Sequence, residues 1–174
     1  MRALNSLSIN TTRRSQPTDE ELRRALALSD EAYALAEEIG DQFSIAMTTV
    51  QRGRILDDQG KFGESLPCFD RAIAVFEDLG ARWELGDATA ERGIAKRELG
   101  RLDEAEADLR MAIRISEELG ERQLASWTWR ALAQVSERRG DQAEAEQRLR
   151  RSREAEAKGA EVAQWLPPCD TRSA

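Results

Sequence analysis

The sequence predicts an all-α chain built as a solenoid of antiparallel helix pairs, and three observations predict it. Gly40, Gly60, Gly80, Gly100, Gly120 and Gly140 set a beat of one glycine every twenty residues. Charged residues make up 34% of the chain and aromatics only 5%, so its apolar content comes mostly from Ala, Leu and Ile, with Glu and Arg between them. These are strong helix formers, and β-branched residues are few. Finally, small and large apolar residues recur at a constant interval, and that interval is forty rather than twenty.

Each glycine reads as a helix stop, because it takes the left-handed conformation past the last helical turn without a Cβ penalty. The intervals then hold helices of about sixteen to eighteen residues. Two kinds alternate. KFGES, RLDEA and DQAEA follow Gly60, Gly100 and Gly140, whereas DQFSI, ARWEL and ERQLA follow Gly40, Gly80 and Gly120. The unit is therefore a pair of helices.

The first unit supplies only its second helix, TDEELRRALALSDEAYALAEEIG, opened by Thr18 and Glu21 in capping-box spacing. Residues 1–17 before it, rich in Ser, Thr, Asn and Arg, read as a disordered tail. In the units that follow, Gly53, Gly93 and Ala133 align within the first helix. Ala25, Ser65, Ala105 and Ala145 align within the second, as do Ala32, Ala72, Ala112 and Ser152. Larger residues keep step: Leu22, Phe62 and Leu102; Tyr33, Ile73 and Ile113; Leu35, Val75 and Ile115; Ile39, Leu79 and Leu119. Small residues at fixed places let helices approach closely, and large ones fill the space between units. A bundle has no reason to repeat its small positions at a constant interval, whereas a solenoid meets the same neighbour at every unit.

The pattern resembles the tetratricopeptide repeat in a forty-residue, long-helix form. Gly93, Gly100, Ala105, Leu109 and Ala112 match that family's motif at every spacing. Gly53, Gly60, Ser65, Phe69 and Ala72 match with one conservative change, and Ala133, Gly140, Ala145, Leu149 and Ser152 with weaker ends. Trp129 falls on the family's tryptophan position, and the proline that often ends the second helix is absent. The resemblance covers residues 18–160 and implies a right-handed solenoid of about three and a half repeats.

The last unit turns polar where its predecessors are apolar: Gln142 stands for Phe62 and Leu102, Arg153 for Ile73 and Ile113, and Glu156 for Phe76. A terminal repeat needs such an outer face to stay soluble. Residues 161–174 are expected to form a short capping turn, with Trp165 folding back, and then a disordered tail after Pro167 and Pro168. At the other end, Leu22, Leu26, Tyr33 and Ile39 are left with an open side. Either the N-terminal tail covers it, or two chains pair through it as a homodimer, or the chain is a piece of a longer array. The loose start keeps the last option open, although Met1 reads as a natural beginning.

The chemistry available is sparse. The chain has no histidine, which removes the commonest general base, metal ligand and pH switch together. Cys68 and Cys169 make neither a zinc motif nor a disulfide framework. Cys68 reads as a small packed residue and Cys169 as incidental. Adjacent carboxylates such as Asp57 with Asp58, Asp103 with Glu104, and Glu117 with Glu118 point to different sides of a helix, so they read as a solvated face with i,i+4 partners like Glu106 with Arg110 and Glu146 with Arg150. GKFGES lacks the spacing of a phosphate-cradling loop. Arg148, Arg150, Arg151 and Arg153 spread around a helix among glutamates and read as a salt-bridge-laced cap, and Arg13 and Arg14 as a solvated tail. A net charge of −7 also argues against nucleic acid. No segment has the length of a signal peptide's core or of a membrane span. The expectation is a cytoplasmic, non-enzymatic chain with no catalytic residues, cofactor, metal, nucleic-acid or membrane partner.

Binding is what remains. In proteins this one resembles, peptides lie in the concave groove lined by the first helices, and the resemblance places Met47, Val50, Gln51, Arg54, Asp87, Glu91, Ile94, Trp127, Arg130 and Gln134 there, with Ala90 and Ala131 between them. The lysine–asparagine–arginine clamp of the family's chaperone-tail binders is incomplete, because its asparagines are missing. Trp127 reads equally as a groove residue or a core one, and Arg54 and Arg130 could pair with Asp87 and Glu91 across the groove. Two functions follow. One is an adaptor or scaffold that holds a protein or peptide partner in the groove. The other is a self-associating regulatory or sensor module, or a fragment of a larger signalling or transcription-regulatory protein. A binding-competent groove favours the first, and a dimer on the open first helix the second.

Overall fold

The computed structural model describes residues 17–165, with side chains to residue 157. Seven helices follow one another among these residues: α1 (Asp19–Ile39), α2 (Gln42–Asp58), α3 (Phe62–Leu79), α4 (Arg82–Glu98), α5 (Leu102–Leu119), α6 (Arg122–Arg139) and α7 (Gln142–Trp165). Each packs on its neighbours in sequence, and the backbones of α2, α4 and α6 also come close across one another, closer than those of α3, α5 and α7 do. The first helices of the units thus form the tighter, inner row of a right-handed α-solenoid.

The beat of glycines sets the turns. Gly120 closes α5 with φ 70°, where the Glu121 N–H bonds back to the Ser116 carbonyl at 2.8 Å and redirects the chain into α6 within two residues. A side chain at such a φ is strained, which is why the turn demands glycine. The entry to α1 differs. Thr18 accepts from the Glu21 N–H while Glu21 reaches back to the Thr18 N–H at 2.8 Å, completing the capping box.

Between the turns, the repeated small residues sit at helix crossings. A Cβ placed on Gly93 would fall 2.9 Å from Leu109 Cγ and 3.2 Å from the Ala105 carbonyl oxygen, so α4 and α5 touch nearly backbone to backbone. Phe69, Phe76, Leu109 and Leu132 fill the space that remains, all but sealed from solvent.

α7 runs on through Gly159 to Trp165, across residues expected to add a further helical turn. Two readings of the sequence change. Asp57 is not part of a solvated face: both its carboxylate oxygens are out of solvent and lack a hydrogen-bond partner among the described residues. Arg148 is no surface cap residue either, because only 4% of it is exposed and it bonds the Leu132 carbonyl, Glu106 and Glu144. The readings made for residues 1–16, with Arg13 and Arg14, and for Pro167, Pro168 and Cys169 lie outside the described residues, as does the side chain of Trp165.

Candidate concave site

The inner row leaves a cleft of about 760 Å³ that runs from α2 across α4 and α6 to α7. Its apolar wall is Met47 on α2, Trp83 and Ile94 on α4, and Trp127 on α6. These positions reach the cleft because the first helices expose one stripe to the inside while their small residues are taken up by the crossings. Trp127 serves both purposes: it lines the cleft and packs against the core of the last two units.

Charge in the cleft is paired. Arg54 Nε donates to Glu91 at 2.7 Å, and its Nη2 to Asp87. All three side chains are at most 17% exposed. Burial raises the pKa of Asp87 and of Glu91, and the Arg54 charge beside them works in the opposite direction. Burial likewise disfavours the Arg54 cation, but the two carboxylates outweigh it and hold the guanidinium firmly charged. Farther along, Arg130 donates to Glu156 on α7 at 2.6 Å, and Ser126 donates to the same oxygen at 3.0 Å. Arg130 therefore reaches α7 rather than the acids of α4. Unlike Arg54, it is 53% exposed and open to solvent.

The structure sorts the residues placed in the groove from sequence. Met47, Arg54, Asp87, Glu91, Ile94, Trp127 and Arg130 come together there. Val50 does not: at 2% exposure it belongs to the core formed with Phe69, Ile73 and Phe76. Ala90 and Ala131 are buried in the neighbouring core in the same way. Gln51 is half-buried outside the cleft lining, and Gln134 is exposed, accepting from Arg97. Sequence reasoning misses Trp83. It sits at the start of α4, a turn before the family's inward positions, and its signal is Phe43 at the equivalent place in α2, also exposed.

Residues 86–156 match the sequence model of the tetratricopeptide repeat family. That stretch is similar to tetratricopeptide repeats. The solenoid as a whole is similar to BtubC (BKLC) from P. vanneervenii, with a TM-score of 0.69 and 20% identity over 88% of this chain. This chain spans only 62% of that one. It is also similar to a protein from Podosopora anserina, named for kinesin light chain and built of nearly identical TPR-like repeats. A variant of that protein aligns with a TM-score of 0.53 and 14% identity, with 82% of this chain and 90% of the other covered. At such identities the likeness shows the fold alone. No curated protein matches the chain by sequence. The matched residues take in most of α4, then α5, α6 and the start of α7, and so carry most of the cleft.

A smaller cleft of about 340 Å³ lies between α1, α2 and α3, lined by Ser29, Tyr33, Arg52 and Cys68 among others. Burial raises the Cys68 thiol pKa, with the Arg52 and Arg71 charges opposing it, which disfavours the thiolate. Among the described residues, no helix is long and apolar enough to cross a membrane.

Proposed function

We propose that this chain is a non-enzymatic interaction module whose concave cleft holds a peptide or helix of a partner protein. The observation that carries this reading is the cleft wall of Met47, Trp83, Ile94 and Trp127, bordered by an arginine that is still open to solvent, Arg130. Tryptophan and arginine are the residue types that dominate interface energetics, because they bury large areas and retain a polar handle. Arg54 contributes differently: its two carboxylates neutralise it, so it shapes the cleft rather than capturing an anion. The most available charge for a partner is Arg130, which can exchange Glu156 for a carboxylate of the ligand.

The test is selection of peptides from a displayed library on the parent protein, with affinities measured by fluorescence polarisation. Trp83→Ser and Arg130→Glu alter exposed side chains, so both variants should fold. Selected peptides should lose about tenfold or more in affinity with either variant, as removal of an interface anchor does. Peptides that bind both variants as tightly as the parent would move the binding surface away from the cleft.

A further inference from the structure

α1 is the second helix of a unit whose first helix is absent from the described array. In later units that first helix buries one side of the second. On α5, Asp108, Leu109 and Ile115 are 7%, 0% and 3% exposed, pressed against Gly93 and Gly86 of α4. Their counterparts on α1 are Leu28, Ser29 and Leu35. Leu28 is 48% exposed and Leu35 is 63% exposed. The two leucines stand two turns apart on one stripe, with Ala32 between them.

By the repeat's own rule, residues 2–18 would supply the covering helix, and the start of α1 argues against it. α3 and α5 begin just after a glycine turn, at Phe62 and Leu102, so the equivalent start on α1 is Leu22. α1 instead begins at Asp19. The residues that would make the turn are already helical, Glu20 stands where Gly60 and Gly100 reverse the chain, and Thr18 caps the end. The glycine turn that precedes α3 and α5 has no counterpart at residues 18–22.

The exposed stripe is, however, complementary to itself. Arg24 lies one turn before Leu28, and Glu38 lies one turn after Leu35. Both are exposed, and neither is engaged in an ion pair among the described residues. Turning a second α1 antiparallel brings each leucine onto the other kind and each arginine onto a glutamate. Glu31 meets its own mate beside the axis, a like-charge contact that weakens the pairing.

We infer that α1 pairs with α1 of a second copy across a two-fold axis. Leu28 of each copy packs on Leu35 of the other, and Arg24 of each faces Glu38 of the other. The interface continues the helix-on-helix stacking of the array and is independent of the cleft. Two helices bury less than a standard-sized interface does, so the association is expected to be weak, with a dissociation constant in the micromolar range.

Sedimentation equilibrium of the full chain tests this, read over about 1 to 500 µM to bracket that constant. The parent should pass from the 19.5 kDa monomer to twice that mass. Leu35→Glu should raise the dissociation constant about thirtyfold or more, since it places charge in an apolar contact, while its thermal melt stays that of the monomer. Arg24→Glu and Glu38→Arg should each associate more weakly than the parent. Their equimolar mixture should associate about fivefold more tightly than either alone, because only the mixed dimer restores both ion pairs. Four results would overturn the proposal: a monomer throughout the range, a Leu35→Glu variant that dimerises like the parent, a mixture no tighter than its components, or dimerisation only after removal of residues 1–16, which would mean that the chain's own tail covers the stripe.

Discussion

Arg54 on α2 and Glu91 on α4 are joined by a 2.7 Å hydrogen bond that ties two successive units together on the inner wall of the solenoid. Asp87 holds the other arm of the same guanidinium. Replacing Arg54 by alanine leaves two desolvated carboxylates facing each other, which should cost about 3 kcal/mol, the scale of a broken buried pair. The loss should shrink on acidification, because protonation removes the repulsion that the arginine had masked. Urea unfolding of parent and variant at pH 8 and pH 5 measures both effects. An equal loss at the two pH values would mean that packing of the arginine stem, not charge, is what matters.

Asp57 is the second electrostatic test. Burial is the main cause that lifts its pKa to about 7, with the Glu91, Asp58 and Glu98 charges adding to it. The neighbouring Ser65 lowers it only partly, since the Ser65 hydroxyl donates to the Phe62 carbonyl. A carboxyl whose pKa rises on folding favours the folded state most where it stays protonated. That contribution is present below its ordinary value of 3.8 and is lost as pH climbs through about 7. Asp57→Asn should therefore stabilise the protein at pH 8 by about 1–2 kcal/mol, a figure reduced for the solvent that still reaches the residue. It should change little at pH 4. A variant whose stability difference from the parent is constant across that range would show that Asp57 does not titrate on folding.

Two glycine substitutions should move stability in opposite directions. Gly93→Ala places a methyl 2.9 Å from Leu109 Cγ and 3.2 Å from a backbone oxygen that cannot easily yield, and should cost about 1–3 kcal/mol. Gly63 on α3 has nothing within 4 Å of the same added atom. Gly63→Ala should gain about 0.4–1 kcal/mol by restricting the unfolded chain. Thermal melts of the pair compare crossing and open positions on the same scaffold.

The fold was legible because its determinants are local and periodic. Gly53, Gly93 and Ala133 mark the crossings, and the positive-φ glycines mark the turns. The cleft was legible only in part. Val50 shares the apolar character of Met47 but faces the outer row, and about 60° around the helix decides between core and groove. Arg54 with Asp87 and Glu91 was readable as a pair across the groove, but other ion pairs were hidden, because those charges were weighed within single helices, where neighbours lie a turn apart. Arg52 instead pairs with Asp30, and Arg92 with Asp70, each from one unit into the next. Both members of that pair recur at the repeat interval, so the same periodicity that revealed the crossings held this signal too. Arg148, buried against Glu106, has no such counterpart and could be placed only by the folded chain.

The outer face of α7 presents Glu146, Gln147, Arg150 and Arg153 to water, whereas α1 at the opposite end presents leucine. The rod therefore has unlike ends. A repeat protein sticky at both could add end to end without limit, as head-to-tail contacts that fail to close make fibres. The described part of α7 presents a hydrated face rather than an apolar one, and such a face does not favour growth by stacking.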